Sequence, residues 1–177
     1  MGELSAVPKE PRSSRASAHD SSPAFDQVDR QLLELVQSEG RIKLSELGRR
    51  VRLSPAAVTE RLRRLEAGGA ITGYGARVDA ARLGYGIQAF IRVNPHGGYT
   101  LKHPRTLELM ARQEIREVHH VVGEDCWIIK VAVTDTGHLE EVLGEVSALG
   151  RTTTSIVLSS PVGGRPLLPP TPGPLPG

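Results

Sequence analysis

Five arginines are the residues of this sequence best placed to do chemistry. Arg49 and Arg50 close the segment LSELGRRV, and Arg61, Arg63 and Arg64 lie within SPAAVTERLRRLEA. A guanidinium carries a permanent charge and a planar fork of donors. That fork matches phosphate oxygens and the O6 and N7 atoms of guanine. Residues 41–64 hold eight Lys/Arg against two Asp/Glu, in a chain whose net charge is only +2. Such local concentration points to a polyanion partner. The other reactive side chains form no catalytic or metal-binding constellation. His119 and His120 are neighbours in a predicted strand, so they face opposite ways and cannot hold one metal. Cys126 is the only cysteine. It excludes an intramolecular disulfide and a Cys-ligated zinc finger, and beside Trp127 it reads as a small buried hydrophobe. Gly97-Gly98 lacks the strand and helix context of a phosphate cradle.

Three predicted helices must position the arginines. Residues 26–39 carry Val28, Leu32, Leu35 and Val36 at helical spacing, with Asp26 and Asp29 at the positive N-terminal end and Gly40 as a stop. Residues 44–51 place Leu44, Leu47 and Val51 on one face. The third helix opens with Ser54 as N-cap and Pro55 in the first turn, and ends at Gly68-Gly69. Only Arg52 and Leu53 separate it from the second helix. With Val58 at zero, Leu62 and Leu65 fall within about 40° of it, while Ala56, Glu60 and Arg63 point outward at about 140–200°. Thr59, Ala57 and Arg64 flank them. This arrangement is a helix-turn-helix, with Pro55–Leu65 as the helix that enters a major groove of duplex DNA. Phosphate contacts are expected from Arg49, Arg50, Arg61 and Arg64. Base readout is expected from Ser54, Ala57, Thr59, Glu60 and Arg63.

The rest of the chain follows a different pattern. Residues 70–79 suggest a short extended piece or wing, and DAARLGY (79–85) a hinge. From residue 86 the order of elements is β-α-β-β-α-β: GIQAFIRV, a helix from Pro104, IREVHHVV, CWIIKVAV, a helix over 136–149, and TTTSIVLSS. Gly123, Glu124 and Asp125 form the turn between the two middle strands. The fold class is therefore α+β, a (winged) helix-turn-helix domain over 25–78 followed by a ferredoxin-like domain over 86–161. Both helices cover one sheet face, and a second copy of the sheet is the simplest cover for the other. Residues 1–24 and 161–177 hold ten of the thirteen prolines, and residues 1–24 and 162–177 read as disordered tails. The last could serve as a polyproline ligand, but a solvated end is the plainer reading.

Composition excludes several classes. Aromatic content of 3% is too low for base stacking along single strands. No apolar run approaches the ~20 residues of a membrane span, and the N-terminus lacks a secretory h-region. A cytoplasmic, nucleoid-associated protein is expected.

The string DRQLLELVQSEGRIKLSELGRRVRLSPAAVTERLRRLEAGGAITGY resembles the N-terminal domain of the Lrp/AsnC family of prokaryotic transcription regulators. VVGEDCWIIKV and TTTSIVLSS resemble that family's ligand-sensing domain. The resemblance implies homodimers paired through the sheets, higher oligomers, and a small effector bound between dimers, usually an amino acid or a related metabolite. It implies an effector site at Gly123, Glu124, Asp125 and Cys126, with Thr152 and Thr154 entering the last strand. Cys126 stands where the family commonly has an aspartate. A neutral thiol cannot receive an ammonium group as an ion, and Asp125 or Glu124 would take that role. No other cofactor is implied. Siroheme decarboxylases resemble the family in both domains, so an enzyme using His103, His119 and His120 is an alternative. A low-specificity architectural DNA-binding protein is another.

Overall fold

Caps and a tight turn build the first unit. In the computed structural model, which describes residues 25–97 and 99–170, α1 spans Gln27–Ser38. The Asp26 carboxylate accepts from the Asp29 N–H at 2.7 Å, and the Asp29 carboxylate accepts from the Asp26 N–H at 3.3 Å. This reciprocal cap satisfies donors that have no partner inside the helix. Helix α2 spans Leu44–Val51 and α3 spans Pro55–Ala67. Ser54 caps α3 by accepting from the Ala57 N–H at 3.2 Å. Between α2 and α3 the chain reverses at Arg52, whose φ of 57° is left-handed. A Cβ on Gly48 would stand 2.5 Å from the Leu53 carbonyl oxygen. Glycine is what lets the start of α3 fold back onto α2. Leu32, Leu33, Leu47, Val51, Val58, Leu62 and Leu65 form the core of this unit.

The expected wing does not form a strand: residues 71–79 have no regular structure. Ile71 packs on the helical core, whereas Tyr74 and Val78 are exposed. The expected hinge contains one 3₁₀ turn, Ala81–Leu83, ended by Gly84 at φ 92°.

The second unit is built on a four-stranded antiparallel sheet. Its elements are β1 (Ile87–Pro95), α4 (Pro104–Met110), β2 (Ile115–His120), β3 (Trp127–Val133), α5 (Thr136–Ser147) and β4 (Gly150–Ile156). The strand order is β2-β3-β1-β4. This is the β-α-β-β-α-β arrangement read from the sequence. Ala89, Ile91 and Val93 of β1 pack with Ile129, Val131, Val142 and Val146 in the core. Phe90 and Arg92 alternate to the open face of the sheet. Strand β4 starts at Gly150, ahead of the expected Thr152, and ends at Ile156. Gly150 pairs with Pro95, and a Cβ there would collide with the backbone of Asn94 and Pro95. A residue that looks like a turn former thus extends the strand by allowing two backbones to approach closely.

The described residues divide into two compact units, 25–73 with 166–170 and 74–165. Residues 166–170, part of the tail expected over 162–177, group with the first unit while staying largely exposed. Arg30 and Gln37 of α1 hydrogen-bond the backbone of Leu167, Pro169 and Pro170. These polar contacts offset chain entropy where apolar periodicity is missing. The tail expected over 1–24 and the last part, 171–177, of the one expected over 162–177 lie outside the described residues.

Candidate nucleic-acid interface

Recognition helix α3 is held by one set of residues and presents another. Val58, Leu62 and Leu65 are buried against α1 and α2. Two of the expected phosphate-binding arginines serve the same inward side. Arg61 donates to the Asp26 carboxylate at 2.6 Å and to that of Asp29 at 2.9 Å. Arg64 donates to both Asp29 oxygens at 2.9 Å. Asp29 is only 2% exposed, and a buried carboxylate needs this compensation. The Asp29 N–H and the Arg61 guanidinium together hold the Asp26 carboxyl below its ordinary range. The role of Asp29 was missed at the sequence level, where it served only the helix dipole. A signal was present, since Asp29, Leu32 and Val36 share one stripe of α1.

The outward side of α3 carries Ala56, Thr59, Glu60 and Arg63, all exposed, with Ala57 half-buried at its edge. Ser54 is committed to the cap, and the Thr59 hydroxyl donates to the Pro55 carbonyl at 2.9 Å. Arg63 forms a two-pronged pair with Glu60 at 2.7 and 3.0 Å. On α2, Arg49 donates to Glu46 at 2.6 Å, and Arg50 bonds Glu46 at 2.8 Å and also Glu39. Arg49 and then Arg50 hold the Glu46 carboxyl down to about 2. Arg63 likewise lowers that of Glu60. Three outward arginines are therefore each paired with a surface glutamate. Such solvent-screened pairs contribute little, so a phosphate or a guanine edge can displace them.

The residues expected to bind an effector lie at one end of the sheet, around β1. The Glu124 carbonyl accepts from the Asn94 side-chain amide at 2.9 Å. Asp125 lies 3.6 Å from Arg92. The Cys126 N–H donates to the Val93 carbonyl at 3.0 Å, and the half-buried Cys126 packs against the core. Gly123 has φ 152°. Thr152 pairs with Val93 and Thr154 with Ile91, so both threonines share the face of those core residues, under the helices. The Thr152 hydroxyl meets that of Ser147 at 3.2 Å. Arg92, with its partner Asp125, belongs to the open face. Within one chain the turn and the two threonines lie on opposite sides of β1.

The histidines are apart in role. His103 caps α4 and lies edge-on to Tyr99. His119 contacts Glu117 at 3.2 Å, and it pairs with Ile128 while His120 pairs with Trp127. Among the described residues no group of three His, Cys, Asp or Glu side chains is placed to hold a metal ion, and no helix is long and apolar enough to cross a membrane.

Comparison with known proteins joins these features. Residues 25–66 match the AsnC-type helix-turn-helix domain, and residues 88–167 match the Lrp/AsnC ligand binding domain. The HTH-type transcriptional regulator LrpA of Mycobacterium tuberculosis is 34% identical over 140 residues, which cover 77% of this chain and 92% of that protein. The structure of Bacillus subtilis LrpC superposes with a TM-score of 0.71 at 26% identity, over 76% of this chain and 95% of that one. A feast or famine regulatory protein from M. tuberculosis, complexed with L-methionine, superposes with a TM-score of 0.70 at 32% identity, over 82% of this chain and 100% of that one. A paired-helix DNA reader joined to a four-stranded sensing domain, with relatives over most of its length, places the chain in the Lrp/AsnC family of DNA-binding transcriptional regulators.

Proposed function

We propose that this regulator is a sequence-specific reader of duplex DNA that acts without enzymatic chemistry, in the cytoplasm on the nucleoid. The observation that carries the reading is the outward side of α3, where Thr59, Glu60 and Arg63 stand exposed beside Ala56 and Ala57. Small residues let the helix approach the groove floor, and Arg63 reaches a base edge once Glu60 releases it. Arg49 and Arg50 take phosphates on the flanking backbone. Arg64, still 60% exposed, adds a phosphate contact, and Arg61 mainly positions the helix.

The active species in this reading is a homodimer formed through the open sheet faces, assembled further into higher oligomers. A small effector, an amino acid or related metabolite, binds between dimers at Gly123–Cys126 with Thr152 and Thr154. Residues left apart in one chain are completed there by a second. The methionine complex of the M. tuberculosis relative supports this effector class. In place of the family's aspartate, Asp125 or Glu124 meets the effector's ammonium group. Effector binding shifts the population between assemblies with different spacing of their recognition helices.

The test is binding of the purified protein to DNA upstream of its own gene and to random duplex of equal length. Titrations run across a salt series and a panel of free amino acids. Tight preference for the upstream DNA, shifted by one compound, is the expected result. Equal, steeply salt-dependent binding to both would establish the architectural alternative instead.

A further inference from the structure

The groove beside α1 holds a peptide, and that peptide is the chain's own. The stretch Pro166–Pro170 contains three prolines. Each proline lacks an N–H, fixes φ and restricts the residue before it to extended conformations. Such a strand offers carbonyl oxygens and apolar rings, and it loses little freedom when it is ordered.

The groove answers that chemistry group by group. The Arg30 guanidinium spreads over two successive proline carbonyls, donating to Pro169 at 2.5 Å and to Pro170 at 2.9 Å. The Gln37 side-chain amide engages both backbone groups of Leu167. It donates to the carbonyl at 3.0 Å and accepts from the N–H at 2.9 Å. Gln37 also donates to the Leu33 carbonyl at 2.8 Å, which fixes its orientation. Phe25, Leu33 and Ile71 form one side of an apolar pocket whose other side is Leu167–Pro170. Arg30, Leu33 and Gln37 make one stripe of α1, rotated about 100° from the stripe of Asp29, Leu32 and Val36. The outward side of α3 takes no part in the groove.

We propose that this stripe of α1, with residues 70–73, is a recognition site for an extended proline-rich strand, and that Leu167–Pro170 fills it as an intramolecular ligand. Tethering gives such a ligand an effective concentration on the order of millimolar, so a few hydrogen bonds hold it. The site does not depend on the DNA-reading proposal, and its test uses no DNA.

Amide hydrogen exchange on the full chain is the first measurement. The Leu167 amide is expected to exchange about tenfold more slowly than in a free peptide. Gln37→Ala and Arg30→Ala should abolish that protection while the α1 amides stay protected, which shows that the domain remains folded. Arg30→Lys should restore only part of it, because a lysine cannot fork across two carbonyls. A Leu167 amide that exchanges at the free-peptide rate in the unmodified chain overturns the proposal. The second measurement uses the full chain with Pro166, Pro169 and Pro170 all replaced by glycine. A synthetic peptide of residues 161–177 should shift the resonances of Arg30 and Gln37 in that variant, and shift them far less in the unmodified chain, where the groove is filled. An absence of shifts in the variant overturns the recognition site.

Discussion

At the scale of single residues, the arginines divide by what their carboxylate partners do. Arg61 and Arg64 share the buried Asp29, whereas Arg49 and Arg50 share the half-buried Glu46 and Arg63 pairs with the exposed Glu60. Substitutions on the two sides should therefore have different effects. Arg63→Ala should narrow the gap between preferred and random DNA, and Arg49→Ala should weaken binding to both and flatten the salt slope by about one unit. Titrations on both duplexes across salt distinguish the two. Asp29→Asn should cost about 2 kcal/mol in a denaturant melt. That is less than for a fully enclosed pair, because Arg61 and Arg64 retain access to water. Asp29 also shows why residue roles were only partly legible from the sequence. Its partners lie 32 and 35 positions away. Spacing along one helix reveals a facing side, not what stands opposite it.

At the scale of elements, the tight turn between α2 and α3 carries the strictest requirement. Gly48→Ala drives a methyl into the Leu53 carbonyl, and should cost about 2 kcal/mol or more by overpacking. Arg52→Gly should instead be neutral or raise stability by up to about 1 kcal/mol, because it relieves a left-handed non-glycine residue. Thermal unfolding of the two variants checks both signs. The helices themselves were readable because caps and apolar periodicity are local: Asp26, Ser54-Pro55 and the stripe of Val58, Leu62 and Leu65 all act within a few residues. The wing was not. Ile71, Tyr74 and Val78 have strand-like types, but residue type does not fix pairing, and of the three Ile71 joins the helical core. Gly150 went the other way, a turn-like residue whose small size serves pairing with Pro95.

At the scale of the whole molecule, each unit carries carboxylates held low by arginines, and the sheet unit's is the one whose acid response is simplest to isolate. In the sheet unit, the 7%-exposed Glu114 accepts from Arg112 at 3.1 and 3.2 Å and contacts His138 at 2.9 Å. Chiefly through Arg112, its carboxyl is held down to about 2 from an ordinary 4.5. A depressed carboxyl stabilises the fold above its unfolded value, and that contribution is lost as pH falls from about 4.5 toward 2. Glu114→Gln should reduce this acid sensitivity, at a cost of about 1–3 kcal/mol at neutral pH. Melts of both proteins across pH give the comparison. The overall order of elements was legible because two periods, helical and alternating, mark the two units. The return of the C-terminal stretch was not, since Arg30 and Pro169 are 139 positions apart and neither carries a local sign of the other.

The division of labour on α3 has a consequence for how such a protein can change. The residues that seat the helix, Val58, Arg61, Leu62, Arg64 and Leu65, are largely distinct from those it displays, Ala56, Ala57, Thr59, Glu60 and Arg63. Ala56, Thr59, Glu60 and Arg63 are exposed, and surface substitutions of that kind usually change stability little. The displayed alphabet is thus nearly free to drift while the scaffold stands. Gene duplication would let two copies diverge in the operators they recognise without either passing through an unfolded intermediate sequence.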